Sequence, residues 1–287
     1  MKKSIWKILC VLTLMVVIGM ASVNCTEAKT FKENKTYKIN LDGKKGKETI
    51  RVKTKLAKDE HYTIFTLYIN GKKVAKQEGL SLHCYTLDIN KKTKGKNLVF
   101  YASTESMCLS NKAGIFSYRN GKLKRLMNLN HRFAEMNLYR IDKVTTNGKG
   151  IVTVVADSPC GVNIGSYYSL IRFQLKAGKL VKITNGTFDL NKYSQKYEYV
   201  LNESAKVYQS ADSTDTEIAK LKKNTKLNIL RISYKTMKNS DGSTDVSDSY
   251  AYVKVADGTK GWIALRKLDY ENWEESQQQF KTFPAWG

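Results

Sequence analysis

At 287 residues the chain has room for two modest domains behind a processing segment, and 49 Lys+Arg against 26 Asp+Glu leave a formal charge of +23. The excess is lysine, because eight residues are arginine (51, 119, 125, 132, 140, 172, 231 and 266), and base-edge reading favours the arginine fork over a hydrated point charge. The composition therefore argues against specific nucleic-acid recognition, leaving a solvated basic surface or loose attraction to polyanions such as wall phosphate polymers or lipid head groups.

Lys2, Lys3 and Lys7 precede an apolar run from Ile8 to Val23, and small and polar residues follow as far as Ala28. Charged, apolar and polar regions in that order read as a secretory signal over residues 1–28, with Thr26-Glu27-Ala28 as the cleavage point. The run is shorter than the about 20 residues that span a bilayer. An uncleaved anchor is the alternative, and lipidation at Cys25 a further one, although Ser22-Val23-Asn24 makes a poor lipobox. The expected address is extracytoplasmic, secreted or at the cell surface. Cys10 and Cys25 fall in the signal, so Cys84, Cys108 and Cys160 remain. They form no CxxC pair, which argues against a zinc site. A Cys108–Cys160 disulfide and three small buried apolar side chains are both open readings.

Residues 29–187 repeat. Asn70-Gly71, Asn120-Gly121 and Ala177-Gly178 each follow an apolar run and precede a lysine. Upstream of each, a Lys-rich polar loop leads into a β-rich run: Leu41 to Ile50, Asp88 to Phe100, Asp142 to Val155. A period near fifty residues with several short strands per unit predicts an all-β fold, a propeller-like array or a sandwich. Tyr62–Ile69 and Ile151–Val155 are apolar at successive positions, as expected of strands with sheets on both sides. Cys108 and Cys160 fall at similar points of consecutive units, within long loops suited to recognition.

The units resemble degenerate calcium-loop repeats (FG-GAP/VCBS-type) of propeller-like surface proteins, with a consensus near D-x-D-G-D-G-x-x-[DE]. Asn40, Asp42, Gly43, Gly46 and Glu48 follow that pattern, which would imply a metal site at Asn40, Asp42 and Glu48. Lys44 stands where a carboxylate is needed, and calcium wants six or more oxygens. The reading favoured is a structural turn without an ion, and no cofactor is expected.

Residues 188–199 are polar and tyrosine-bearing and read as a linker. Over residues 200–270 the chain resembles the bacterial SH3-type family, SH3b. The resemblance rests on Ala205-Lys206-Val207-Tyr208, on Glu217 to Leu227 against V-I-x-x-L-x-x-G-T-x-V, on Tyr252-Val253-Lys254-Val255, and on Gly258 to Leu268 with its Gly261-Trp262-Ile263 close. Asp257-Gly258 is the turn between the last two strands. The resemblance implies a small SH3-like barrel serving envelope attachment, with Tyr208, Tyr250, Tyr252 and Trp262 as an aromatic ligand groove. Trp262 also suits a core position. The family's N-V-R-S-G-P is replaced by Lys206 to Ala211. In the tail, residues 271–287, Glu271, Glu274 and Glu275 accompany Trp273, Phe280, Phe283 and Trp286, and residues 270–281 suit a short helix packing back onto the protein.

Catalysis would have to use His61, His83 or His131. His83 adjoins Cys84, but neighbours on a strand point to opposite faces, and no histidine follows Cys160. The expectation is a non-catalytic exported surface or cell-wall binding protein whose partner is a wall polymer or a surface protein. A membrane-anchored accessory or sensor protein and a degenerate wall hydrolase are the alternatives.

Overall fold

The computed structural model describes residues 28–58, 60–103, 113–129, 140–158, 164–184, 186–211, 216–238, 244–266, 279–282 and 284. The fold is all-β. Three four-stranded antiparallel meanders come first. Unit 1 holds β1 (Thr36–Ile39), β2 (Glu48–Leu56), β3 (Thr63–Ile69) and β4 (Lys72–Gly79). Unit 2 holds β5 (Ser81–Leu87), β6 (Asn97–Ser103), β7 (Gly114–Arg119) and β8 (Lys122–Asn128). Unit 3 holds β9 (Arg140–Thr146), β10 (Ile151–Ser158), β11 (Tyr167–Lys176) and β12 (Lys179–Lys182).

The repeated turn dipeptides close the last hairpin of each unit. Asn70, Asn120 and Ala177 have φ of 50°, 49° and 46°, and the following glycines 77°, 76° and 73°. Two successive positive φ values make a type I′ turn, whose twist suits paired strands. Asparagine tolerates that conformation and alanine does not. Ala177→Asn is accordingly expected to stabilise the protein by about 1 kcal/mol. Denaturant midpoints at unchanged slope measure this, and a value at or below that of the parent would refute the strain.

The Lys-rich loops between the first and second strands clasp one unit to the next. Lys96 N–H donates to the Asn40 carbonyl at 3.2 Å, Lys91 N–H to the Gly148 carbonyl at 2.9 Å, and Gly150 N–H to the Ile89 carbonyl at 2.7 Å. A Cβ on Gly95 would lie 2.5 Å from the Leu41 carbonyl oxygen, so the first clasp requires glycine.

Unit 2 is the middle layer. On β6, Leu98, Phe100 and Ala102 join the core shared with unit 1, while Val99 and Tyr101 join the core shared with unit 3. Gln77 of β4 adds a polar lock, its Nε2 donating to the Phe100 carbonyl at 2.7 Å and its Oε1 accepting from Ala102 N–H at 2.8 Å. Burial on both faces therefore belongs to β6, not to Tyr62–Ile69 or Ile151–Val155 as their composition suggested. In β3 the buried set is Phe65, Leu67 and Ile69, and in β10 it is Val152, Val154 and Ala156. Among the described residues these strands have a neighbouring sheet on one side only, and their alternate side chains are half-buried. The stack does not close into a ring among the described residues, because the outward side chains of unit 1 are exposed or half-buried.

The remaining strands are β13 (Thr187–Leu190), β14 (Glu198–Leu201), β15 (Ala205–Tyr208), β16 (Glu217–Leu221), β17 (Lys226–Lys238), β18 (Thr244–Val255), β19 (Lys260–Leu265) and β20 (Phe280–Thr282). Residues 188–199 thus carry most of β13, a 3-10 turn at Ser194–Lys196 and the start of β14. β13 bridges β11 and β17, giving one path in the order β16-β15-β19-β18-β17-β13-β11-β10-β9. Among the described residues these strands form an open sheet and no closed barrel. One face of this sheet lines two cores: Val152, Ile171 and Phe188 face unit 2, while Leu190, Ile232, Ala251 and Ile263 form the C-terminal core.

Of the tail, Phe280–Thr282 is strand rather than helix, pairing with β14, and residues 267–278 lie outside the described residues. Gln279, 4% exposed, bridges to β19, its Nε2 donating to the Ala264 carbonyl at 2.7 Å and its Oε1 accepting from Arg266 N–H at 3.0 Å.

Candidate functional site

The four aromatic residues singled out in the sequence come together on the open face of the large sheet. Tyr252 pairs directly with Trp262 across β18 and β19, and Trp262 with Tyr208 across β19 and β15. Strand alternation puts Ala251, Val253, Ile263 and Leu265 in the core and leaves Tyr250, Tyr252 and Trp262 half-buried on the other side. The Tyr252 and Trp262 ring centroids are 5.2 Å apart at an interplanar angle of 58°. Tyr250 lies two residues from Tyr252 on the same face. Its phenol is held above its ordinary pKa, first by burial and then by the nearby Asp248 and Tyr208.

The register extends the row at both ends. Tyr252 is paired with Arg231 and Arg231 with Asp189 on one side, and Tyr208 with Glu217 on the other. The Arg231 guanidinium sits over the Tyr252 ring, 5.3 Å from its centroid. Its Nε lies 3.1 Å from Asp189 Oδ1, and Arg172 Nη1 lies 2.8 Å from Asp189 Oδ2. At the other end Lys206 Nζ lies 3.0 Å from Glu217 Oε2. An uncharged aromatic strip is thus framed by ion pairs, with Arg172 and Arg231 sharing the one carboxylate of Asp189. The strip can stack on the flat face of a sugar ring or an apolar peptide side chain, and the exposed Lys254 and Lys260, paired across β18 and β19 two residues along from Tyr252 and Trp262, flank it.

Gly261 explains the Gly-Trp step. A Cβ there would lie 2.4 Å from Val207 Cγ1 and 2.9 Å from the Tyr208 carbonyl oxygen. β15 crosses against bare backbone, which is what brings Tyr208 beside Trp262. The Asp257-Gly258 turn is closed by Thr259 N–H donating to Asp257 Oδ1 at 2.8 Å, and the same hydrogen bonding holds that carboxyl below its usual pKa.

The oxygens of the first-unit loop are engaged within the fold. Asn40 Oδ1 accepts from Gly43 N–H at 2.7 Å, Asp42 Oδ1 from Lys44 N–H at 2.8 Å, and Glu48 Oε2 from Leu41 N–H at 2.6 Å. Arg119 of unit 2 donates to the Asp42 carbonyl. Among the described residues no group of three His, Cys, Asp or Glu side chains is placed to hold a metal ion.

Cys84 and His83 point to opposite faces of β5. The thiol is buried in the core shared with unit 1, and that burial pushes its pKa far up. The imidazole stacks on Tyr101 at 4.4 Å and 9°, with its pKa lowered by burial against the opposing pull of Asp142. Cys108, Cys160 and His131 lie outside the described residues. Comparison of the chain with family models, curated proteins and solved structures gives no match. Among the described residues no helix is long and apolar enough to cross a membrane.

Arg231 and Asp189 were not among the residues expected in the site. Asp189 sits in the polar stretch read as a connector. Its signal was the alternation of Phe188 and Leu190, both buried, around an outward carboxylate.

Proposed function

We propose that the chain is a non-catalytic, exported surface or wall-associated binding protein. In this reading the C-terminal strands, SH3b-like in sequence, attach it to the envelope through the aromatic row. The observation that supports this is the direct pairing of Tyr208, Trp262 and Tyr252 on a face where the alternating residues are already buried beneath. Half-exposed aromatic rings side by side on a rigid sheet lose little conformational entropy on stacking against a ligand.

The test is sedimentation of the full chain with purified cell wall stripped of its anionic polymers. Tyr252→Ala with Trp262→Ala is expected to lower the bound fraction about ten-fold, the scale of one lost aromatic anchor at a binding surface. Binding through an uncharged row is expected to persist as salt is raised. Retention of parental binding by the double variant would overturn the assignment to this row. Peptidoglycan turnover that disappears with His83→Ala or Cys160→Ala would overturn the non-catalytic reading.

A further inference from the structure

We infer that the outer face of unit 1 is a docking surface for a linear phosphodiester polymer. On this four-stranded sheet the inward positions fill the core shared with unit 2, and the outward ones carry cations. Arg51, Lys53 and Lys55 occupy alternate positions of β2, Lys73 and Lys76 lie on β4 and Lys38 on β1, all of them exposed. Pairing sets them in rows: Arg51–Tyr68–Lys73, Lys53–Thr66–Lys76 and Lys55–Ile64–Glu78. Glu78 is the single carboxylate in those rows.

None of the six cations has an ion-pair partner among the described residues; the pairs there run from Arg172–Asp189 to Arg266–Glu203, in unit 3 and beyond. Lys53 instead lies 5.1 Å from the centroid of the Tyr68 ring. An array of like charges held on a rigid sheet repels itself, and a polyanion relieves that repulsion by releasing its counterions.

The chemistry of the face selects among polyanions. Lysines two residues apart on a strand are about 6.5–7 Å apart, and as point charges they follow a flexible chain of phosphates without demanding a fixed register. A membrane-docking face presents protruding apolar side chains that enter the acyl boundary, whereas here Ile64 and Tyr68 are half-buried between the cations. Base-edge reading of duplex nucleic acid favours arginine forks, and five of these six cations are lysine. The surface adds a partner to the proposed envelope association without resting on the aromatic row.

The full chain should be titrated with fluorescently labelled poly(glycerol phosphate) over a salt series. The K53Q/K55Q/K76Q variant is expected to bind about ten-fold more weakly at low salt, with the log–log salt slope reduced by about 2. Its melting temperature should match that of the parent, since all three side chains are exposed. A K220Q/K222Q/K223Q control and Trp262→Ala should each bind the polymer within about two-fold of the parent. Parental binding by the first triple, or an equal loss in the control triple, would overturn the assignment. So would tighter binding to phosphatidylglycerol vesicles or to duplex DNA than to the polymer.

Discussion

Replacing Phe280 by alanine is expected to lower the unfolding free energy by about 3–5 kcal/mol, the range for emptying a buried aromatic site. Phe280 is fully buried, and its ring meets Tyr199 with centroids 5.1 Å apart. Tyr199 in turn donates from its hydroxyl to the Ile164 carbonyl at 3.2 Å. The tail therefore supplies the C-terminal core with a side chain that strands β14 to β19 leave unfilled, and β14 offers the edge on which β20 pairs. Denaturant unfolding measures the loss. Lys281→Ala, one residue along and exposed, is expected to stay within about 0.5 kcal/mol of the parent. A cost below about 1 kcal/mol for Phe280→Ala would mean that the core closes without the tail, because a collapsed or shallow site is what small losses report.

Much of this architecture is legible in the sequence where the determinant is local. A two-residue hairpin needs two positive φ values, so Asn70-Gly71 and Asn120-Gly121 mark their turns. Asp257-Gly258 fixes the register that sets Tyr252 opposite Trp262, and Tyr250 joins their face by strand period alone. Tyr208 enters the row through the pairing of β15 with β19, a contact between segments far apart in sequence, and no local pattern encodes it. The layer order is likewise non-local. Leu98 to Ala102 is buried on both faces because units 1 and 3 flank it, whereas Tyr62–Ile69, equally apolar, meets one neighbour.

Charge is a second case in which composition blurred the arrangement. Scattered lysines read as a solvated surface, yet Arg51-Val52-Lys53-Thr54-Lys55 alternates cation with inward residue, the pattern of a half-buried strand. The two exposed faces of the protein consequently differ in kind. Unit 1 presents an array of unpaired cations, while the C-terminal sheet presents an aromatic strip flanked by ion pairs and by Lys254 and Lys260. On the two proposals above, an anionic polymer sits at one face and a neutral ligand at the other, and salt is expected to weaken the first more than the second.

Gly261→Ala is expected to destabilise the protein by about 1–3 kcal/mol, the cost of overpacking a well-filled interior. The added methyl would overlap Val207 Cγ1 and crowd the Tyr208 carbonyl oxygen, with Ile218 Cδ1 at 3.1 Å completing the contact. Val207 is β-branched and fully buried, so it cannot swing clear, and the relief available is for β15 to move away from β19. That movement separates Tyr208 from Trp262, so wall binding by the folded protein should fall along with stability. Val207→Ala removes the clashing methyl, and the Gly261→Ala/Val207→Ala pair should be less destabilised than the sum of its parts by about 1 kcal/mol. Binding should return in the same pair, because the two strands can close again over the smaller side chains. Additive costs would place the strain elsewhere than at Val207. Undiminished wall binding by Gly261→Ala would show that the spacing between Tyr208 and Trp262 is not what the ligand reads.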